Sequence, residues 1–546
     1  MQDAQRVLSR LVPVGALVAA LAVGAVACDD DDDTNNTPAP ADTGQDAAAD
    51  VGVDTSVDAT PDTTADTAPD TTAENQAPTA VIAAPTEIEA TGTITFDGSG
   101  STDPDGDALS YTWEVTSAPD LSLATLDDAS AEMPTLLADA AGEVVIELTV
   151  SDGELEDTAT ATVTVTCPAP VEVSGDIDTD TTWPANGYGC THYLVTGTVR
   201  VLEGLTIEPG VNVSFEQGTG MRHSRGATSP FVAEGTATHP ILFTGTTESP
   251  GHWKGLLISS DLADNSLVDV IIEYGGSEAW WSDVRAGNLS VMDLTTGGTV
   301  ASASIEHTTL RHSADAGLVT AEQGASFPVF NANVVTQNAV PVSINANQLQ
   351  WLGAPGDNDF TGNTDDYIEI HDATTGNRVV DGQNWVDMGV PYHFTDNVHV
   401  LSAADLVVEP GVELLFAENT ALYVGGTIEA VGTASEPVRF ASILDQDGAW
   451  NGIRIESNSV VNVLEHVVVE DGGQSRIGAG VDEPANLTLF KNNGRDASIT
   501  LRDSVFRDSA GVDITFQNES FTDYQLRDCS NVTFETPPVS CPFPAP

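Results

Sequence analysis

The chain has 546 residues, with 83 Asp and Glu against 17 Lys and Arg and a formal net charge of −66. Such a length exceeds one ordinary domain and points to several modules or an elongated repeat. The charge excludes nucleic acid and anionic lipid surfaces as general partners, and it suits a saline habitat or one rich in divalent cations.

Arg6 and Arg10 precede an apolar run of small residues from Leu11 to Ala27, which stops at Ala25-Val26-Ala27-Cys28. These are the charged, hydrophobic and cleavage regions of a secretion signal. Residues 1–28 resemble a bacterial lipoprotein signal peptide, with Ala25 where leucine is usual. The resemblance implies that Cys28 is the lipidated first residue of the mature chain. No second apolar run is long enough to cross a bilayer. The expectation is therefore an exported protein held at a bacterial membrane by its lipid alone, at the outer membrane or cell surface.

Residues 29–76 are of low complexity. Five aspartates come at once, and then Asp42, Asp46, Asp50, Asp54, Asp58, Asp62, Asp66 and Asp70 recur among Thr, Ala, Pro and Val. Like charges four apart repel on a helix, and the Thr and Pro content opposes one. The stretch reads as a disordered, charge-extended tether.

Residues 77–166 change character: short alternating runs (Thr93 to Phe96, Tyr111 to Val115, Val144 to Val150, Thr158 to Val165) are separated by Gly, Asp and Pro turns. That pattern predicts a β-sandwich. Phe96 to Val115 and Leu148 to Val165 resemble a PKD-type immunoglobulin-like domain, which implies a spacer with Trp113 in its core. Asp103, Asp105 and Asp107 have a spacing that could seat calcium, as some relatives of that family do, or could form a solvated acidic turn. Calcium is the one cofactor expected.

Residues 167–546 hold an internal duplication. Leu205 to Phe215 (LTIEPGVNVSF) returns as Leu406 to Phe416 (LVVEPGVELLF), with alternate residues apolar and Glu-Pro-Gly between the halves. Each copy predicts strand, tight turn, strand. Tyr193 to Leu202 matches Tyr392 to Leu401, Gly235 to Phe243 matches Gly432 to Phe440, Gly251 to Ile258 matches Gly448 to Ile455, and Val270 to Gly276 matches Val467 to Gly473. The halves run over about 171–350 and 367–535, and Gly356 to Tyr367 has the composition of a loop between them. Short β-rich runs that cannot bury their own faces predict a solenoid. The recurring pattern resembles right-handed parallel β-helix proteins of the pectin-lyase-like superfamily. The fold expected is thus all-β: a duplicated parallel β-helix preceded by a PKD-like β-sandwich and an acidic linker.

With Cys28 used as an anchor, Cys167, Cys190, Cys529 and Cys541 remain. They permit three pairings, of which closeness in sequence favours Cys167–Cys190 and Cys529–Cys541.

Polysaccharide lyases of that superfamily hold calcium with acids and use Arg or Lys as base. The candidates for that role are Arg222 or Arg225 with His223, Lys254, Arg285, and Arg454 with Glu456. None stands beside an Asp-rich cluster in a spacing that joins adjacent coils. Asp127-Asp128 and Asp365-Asp366 are adjacent pairs, whose members face opposite ways on a strand. His307, His312, Ser313 and Asp315 lie close together without a nucleophile elbow, and Arg311 and Arg507 occupy equivalent positions in a structural role. Trp280-Trp281 has no aromatic counterpart in the second copy, which has Gln474-Ser475-Arg476. It is either a sugar-stacking platform or loop packing. The function expected is a non-catalytic, lipid-anchored envelope protein that displays a β-helix to a polysaccharide or a cell-surface protein. The competing reading is a polysaccharide lyase or glycoside hydrolase on the same fold.

Overall fold

The computed structural model describes residues 74–536 apart from 283, 294–299, 322–324, 372–376, 480, 482, 492–496 and 518–524. The signal segment with Cys28, nearly all of the acidic tether, and Cys541 lie outside the described residues.

The PKD-like domain pairs Ser110–Ser117, Gly142–Ser151 and Glu156–Thr166 antiparallel, and Glu87–Glu89 lies parallel to the last of these. Thr93–Thr95 and Thr135–Leu137 form a second small sheet. Alternate residues of Gly142–Ser151 (Val144, Ile146, Leu148, Val150) point inward, as the two-residue period requires. Trp113 is buried among them, and its indole N–H donates to the Ala131 carbonyl at 2.9 Å.

The domain does not stop at its last strand. Cys190 bonds Cys167 and lies inside the sandwich core. The Tyr188 N–H donates to the Asp139 carbonyl at 2.8 Å, and the Ala141 N–H donates to the Tyr188 carbonyl at 3.0 Å. The sandwich thus recruits a segment already 20-odd residues past the expected boundary, because its open edge at Asp139 to Ala141 needs backbone partners.

Beyond this, every strand pairs parallel with the next coil. In the first copy the chain cycles over three faces. The first carries Asn212–Phe215, Ile241–Gly245, Val270–Glu273, Thr309–Arg311 and Val334–Thr336. The second carries Met221–His223, Leu256–Ile258, Gly287–Val291, Ala316–Thr320 and Val340–Ile344. The third carries Thr181–Trp183, Leu205–Ile207, Phe231–Glu234, Ser266–Val268, Ser304–Glu306 and Phe330–Asn331. Inward residues form one continuous core, in which Phe215 stacks on Trp253 (centroids 3.9 Å apart) and Phe416 stacks on Trp450 (4.3 Å). The repeated Glu-Pro-Gly is the turn expected: Gly210 and Gly411 have φ of 81° and 82°, and Glu208 and Glu409 donate their N–H to the carbonyls of Trp183 and Trp385.

Polar brackets repeat as closely as the apolar core. The buried Asn288 accepts from the Gly275 N–H and donates to the Arg311 carbonyl, both at 2.8 Å. Asn486 does the same with Gly472 and Arg507 at 2.8 Å. Asn265 and Asn462 likewise accept from Phe231 and Ile428 and donate to the carbonyls of Ser302 and Ser498.

The segment Gly356 to Tyr367 holds no strand beyond one isolated bridge, as a loop should, and it stacks on the first copy as an irregular further coil. Phe360 is buried and stacks with Phe330, and Asp359 bridges Val334 in parallel. The Asn333 and Asn338 N–H groups donate to the side chains of Asn358 and Asn363 on the next coil, at 2.9 and 3.0 Å. Its Asn content serves this ladder. The extra coil has a geometric consequence. Ile368–Ile370 adds to Val340–Ile344 on the second face and is followed there by Tyr392–Phe394 and Glu413–Phe416. Glu413–Phe416 echoes Asn212–Phe215, a first-face strand, so the second copy is turned by one face relative to the first.

Candidate functional site

Outward positions alternate with the core residues along each second-face strand, and in register they form a row: Arg200, Arg222, Leu257, Ser290, Val319, Ser343, Glu369 and His393. Apolar side chains on an outer face require a cover. Leu257, Met292, Ala316, Val319, Ala321 and Val340 form a second, smaller cluster here, and Trp280, Val284 and Tyr367 pack on it. The cover comes from the loop between Val270–Glu273 and Gly287–Val291, which supplies Trp280 and Val284, and from Tyr367.

The two tryptophans divide their roles on this loop. Trp280 lies against the coil below, with the Lys254 ammonium 4.7 Å from its ring centroid. A Cβ at Gly220 would come within 3.0 Å of its ring, so that coil approaches it at glycine. Trp281 is 42% exposed. Five of the chain's 17 Lys and Arg residues (Arg200, Arg222, Arg225, Lys254 and Arg285) gather around this face. Arg225 pairs with Asp293 at 3.5 Å and Lys254 with Glu278 at 3.4 Å. The Arg222 Nε is buried without a hydrogen-bond acceptor.

Arg285 anchors the loop. Its Nε and one Nη donate to the two oxygens of Glu369, each at 2.6 Å, and its other Nη pairs with Asp315. Glu369 also accepts from the Ser343 hydroxyl at 3.0 Å. The Glu369 bonds raise the Arg285 pKa against the burial that opposes it. Burial works to raise the Glu369 carboxyl, but the Arg285 bonds and charge outweigh it and hold the carboxyl below its ordinary value. His393, in register with Glu369, is buried with neither ring nitrogen hydrogen-bonded, and burial lowers its pKa.

The other sequence candidates fall elsewhere. His223 points into the core, with its Nε2 3.1 Å from the carbonyls of Glu203 and Ser229 and its Nδ1 3.0 Å from the Ser260 hydroxyl, and burial lowers its pKa. His307 and His312 are left-handed turn residues at either end of Thr309–Arg311, with φ of 49° and 55°. Asp503 and Asp508 repeat them in the second copy with φ of 46° and 52°. Asp315 is committed to Arg285 and Ser313 is buried, so the four residues do not form a triad. Arg311 and Arg507 pair with Glu273 and Glu470, the same contact in each copy. Arg454 pairs with Glu456 at 2.7 Å and lies 3.4 Å from the Phe490 ring centroid.

Asp127 receives the N–H and hydroxyl of Thr135, Asp128 receives those of Ser130, and Asp366 receives the N–H of Gly362 and of Asn363. These acids are turn acceptors. Asp103 accepts from the N–H groups of Asp105 and Asp107 at 2.8 and 3.0 Å, while Asp105 accepts from Gln76. Among the described residues, three potential metal ligands draw together at Glu465, His466 and Asp503. Cys529 is disulfide-bonded.

Sequence reasoning missed Arg285–Glu369, the Asn288 and Asn486 brackets, and the Glu465 group. The brackets had a signal: Asn288-Leu289-Ser290-Val291 matches Asn486-Leu487-Thr488-Leu489 at the offset of the duplication.

Residues 84–166 match the model of a PKD-domain family. No curated protein matches the chain. Among solved structures, a nucleoside hydrolase-related hypothetical protein from Saccharophagus degradans that is associated with carbohydrate metabolism is 25% identical over 17% of this chain. The match spans 26% of that protein with a TM-score of 0.15, and it bears no weight on fold or function.

Proposed function

We propose that the chain is an exported, lipid-anchored cell-envelope protein whose β-helix, of pectin-lyase-like type, binds polysaccharide on its second face without turning it over. The observation that carries this reading is Trp281, an indole 42% exposed on a loop pinned by Arg285 and Trp280. A flat aromatic ring stacks on sugar rings, and a loop already fixed loses little freedom on binding. Lys254, whose ammonium lies over the adjoining Trp280 ring, and Arg222, two residues from the Gly220 that the ring approaches, add donors for hydroxyl or carboxylate groups.

The acids around this face are engaged: Asp315 and Glu369 share Arg285, Asp293 meets Arg225, and Glu278 meets Lys254. Hydrolysis needs two carboxylates available to a glycosidic bond, so these pairings favour display over turnover. In this reading the acidic tether holds the folded part away from the membrane, and the PKD-like domain is a spacer. Calcium at Asp103, Asp105 and Asp107 belongs to the same proposal, supported by their spacing and by an Asp103 oxygen buried without a hydrogen-bond partner.

The test is native electrophoresis of the full chain through gels holding neutral or acidic polysaccharides, with parallel assays for unsaturated and reducing-end products. Retardation without product is the expected result. Product release would establish a lyase or hydrolase instead, and no retardation in any gel would remove polysaccharide as the partner.

A further inference from the structure

We propose that Glu465, His466 and Asp503 bind a divalent metal ion of the zinc class. One ligand atom from each lies within 4.8 Å of those of the other two.

The backbone fixes this arrangement. His466 is a one-residue turn between Val463–Glu465 and Val467–Val469, with φ of 48°, and Asp503 repeats the turn one coil on, with φ of 46°. The His466 N–H donates to the Arg502 carbonyl at 3.1 Å and the Asp503 N–H to the Ser530 carbonyl at 2.9 Å, so the two turns stack. Side chains on stacked turns are separated by the strand spacing, about 4.8 Å, close enough to share one ion.

A left-handed turn by itself explains a His or an Asp, since both tolerate positive φ. It does not explain Glu465, which stands where the first copy has Val268. That copy carries Asp269 and His307 at the two turn positions, in reversed order, and among the described residues it does not assemble three ligands there. The first copy also has a glutamate beside its histidine, Glu306, so among the described residues what sets the second copy apart is that its three ligand atoms gather within reach of one ion.

An imidazole with two carboxylates is a donor set for zinc and similar borderline ions, whereas calcium takes oxygen alone. Asn531 donates to one Asp503 oxygen at 2.8 Å, which orients the carboxylate and leaves its other oxygen for the ion. Arg502 touches Glu465 at 3.4 Å but holds Asp528 at 2.9 Å, so Glu465 can turn to a metal while Arg502 keeps a partner. His466, Asp503 and Asn531 also line a cavity of about 420 Å³, which leaves water room to complete the coordination.

The test is calorimetric titration of zinc into the chelator-treated full chain, with thermal unfolding followed in parallel. His466→Asn and Glu465→Gln remove one donor each, and Asn keeps the turn because it accepts positive φ. The wild type is expected to show one saturable site and a zinc-dependent rise in Tm. Each variant should lose affinity by at least about tenfold and lose the Tm rise, while Asp269→Asn in the first copy keeps both. The acidic N-terminal run gives the same weak background in every variant. Absence of saturable zinc binding in the wild type, or unchanged affinity in His466→Asn, would overturn the proposal.

Discussion

Arg285 and Glu369 lie 84 residues apart and meet through two hydrogen bonds of 2.6 Å. The contact ties a loop of the first copy to the first strand laid down on the second face after that copy ends. It also sets the position of the loop that carries Trp281.

Glu369→Gln leaves Arg285 with half of its charge compensation in a largely buried place. Breaking a fully buried pair costs about 3–5 kcal/mol. Because the Arg285 side chain is 32% exposed and keeps Asp315, a loss of about 2 kcal/mol is expected. The Glu369 carboxyl is held below its ordinary value, so its contribution is present at neutral pH and fades as pH falls through that lowered value. Urea denaturation of wild type and variant at neutral and acid pH should show the gap narrowing in acid.

Asp471 behaves in the opposite way. Burial pushes its carboxyl up to about 6, against the Ser442 N–H that stabilises the charged form. The folded chain therefore holds this proton more tightly than the unfolded chain. The resulting stability is full below the ordinary value of 3.8 and is lost as pH rises through about 6. Asp471→Asn, which suits the φ of 63° at this position, should stabilise the protein by about 1–2 kcal/mol at pH 8 and by nothing at pH 3. Melting curves at the two pH values check this.

Asn288 and Asn486 make the same two hydrogen bonds in the two copies. Replacing either with Ala strands a buried N–H and a buried carbonyl, at a cost of about 1–3 kcal/mol. Denaturation midpoints of Asn288→Ala and Asn486→Ala should fall by similar amounts, whereas a neutral result at one site would show that the bracket is not shared.

Gly210 and Gly411 share one turn but not one environment. A Cβ at Gly210 would come within 2.4 Å of the Tyr188 ring, while at Gly411 the nearest atom is an Asp387 carboxylate oxygen at 3.1 Å, which can swing away. Both Ala variants bear the strain of a positive φ, about 1 kcal/mol, and Gly210→Ala adds a steric term. It should therefore unfold at a clearly lower temperature than Gly411→Ala.

The duplication is legible because Leu205 to Phe215 and Leu406 to Phe416 keep an alternation that only a one-sided strand needs. Glu-Pro-Gly names its own turn type. Hidden from the sequence are the contacts of coil stacking that the duplication does not repeat. Arg285 reaches Glu369 only because an extra coil turns the second copy by one face, and Gly356 to Tyr367 reads as a loop because asparagines that ladder between coils have loop-like composition. His307 and His312 resemble catalytic candidates for a similar reason: a left-handed turn selects His, Asp and Asn for their backbone tolerance, and composition alone does not separate that from chemistry. The segment around Tyr188 and Cys190 reads as part of the solenoid, since its pairing with the sandwich edge depends on strands far earlier in the chain.

The most direct measurement of non-catalytic polysaccharide binding is calorimetric binding of the retained polysaccharide to wild type and Trp281→Ala, with product analysis of the same samples. Trp281 is exposed and makes none of the loop's anchoring contacts described above, so the variant should melt at the wild-type temperature. Display of polysaccharide on Trp281 predicts at least a tenfold loss of affinity, equivalent to about 1.4 kcal/mol, and intact polysaccharide in both samples. Equal affinity in the two proteins, or cleaved polysaccharide in the wild-type sample, would contradict it.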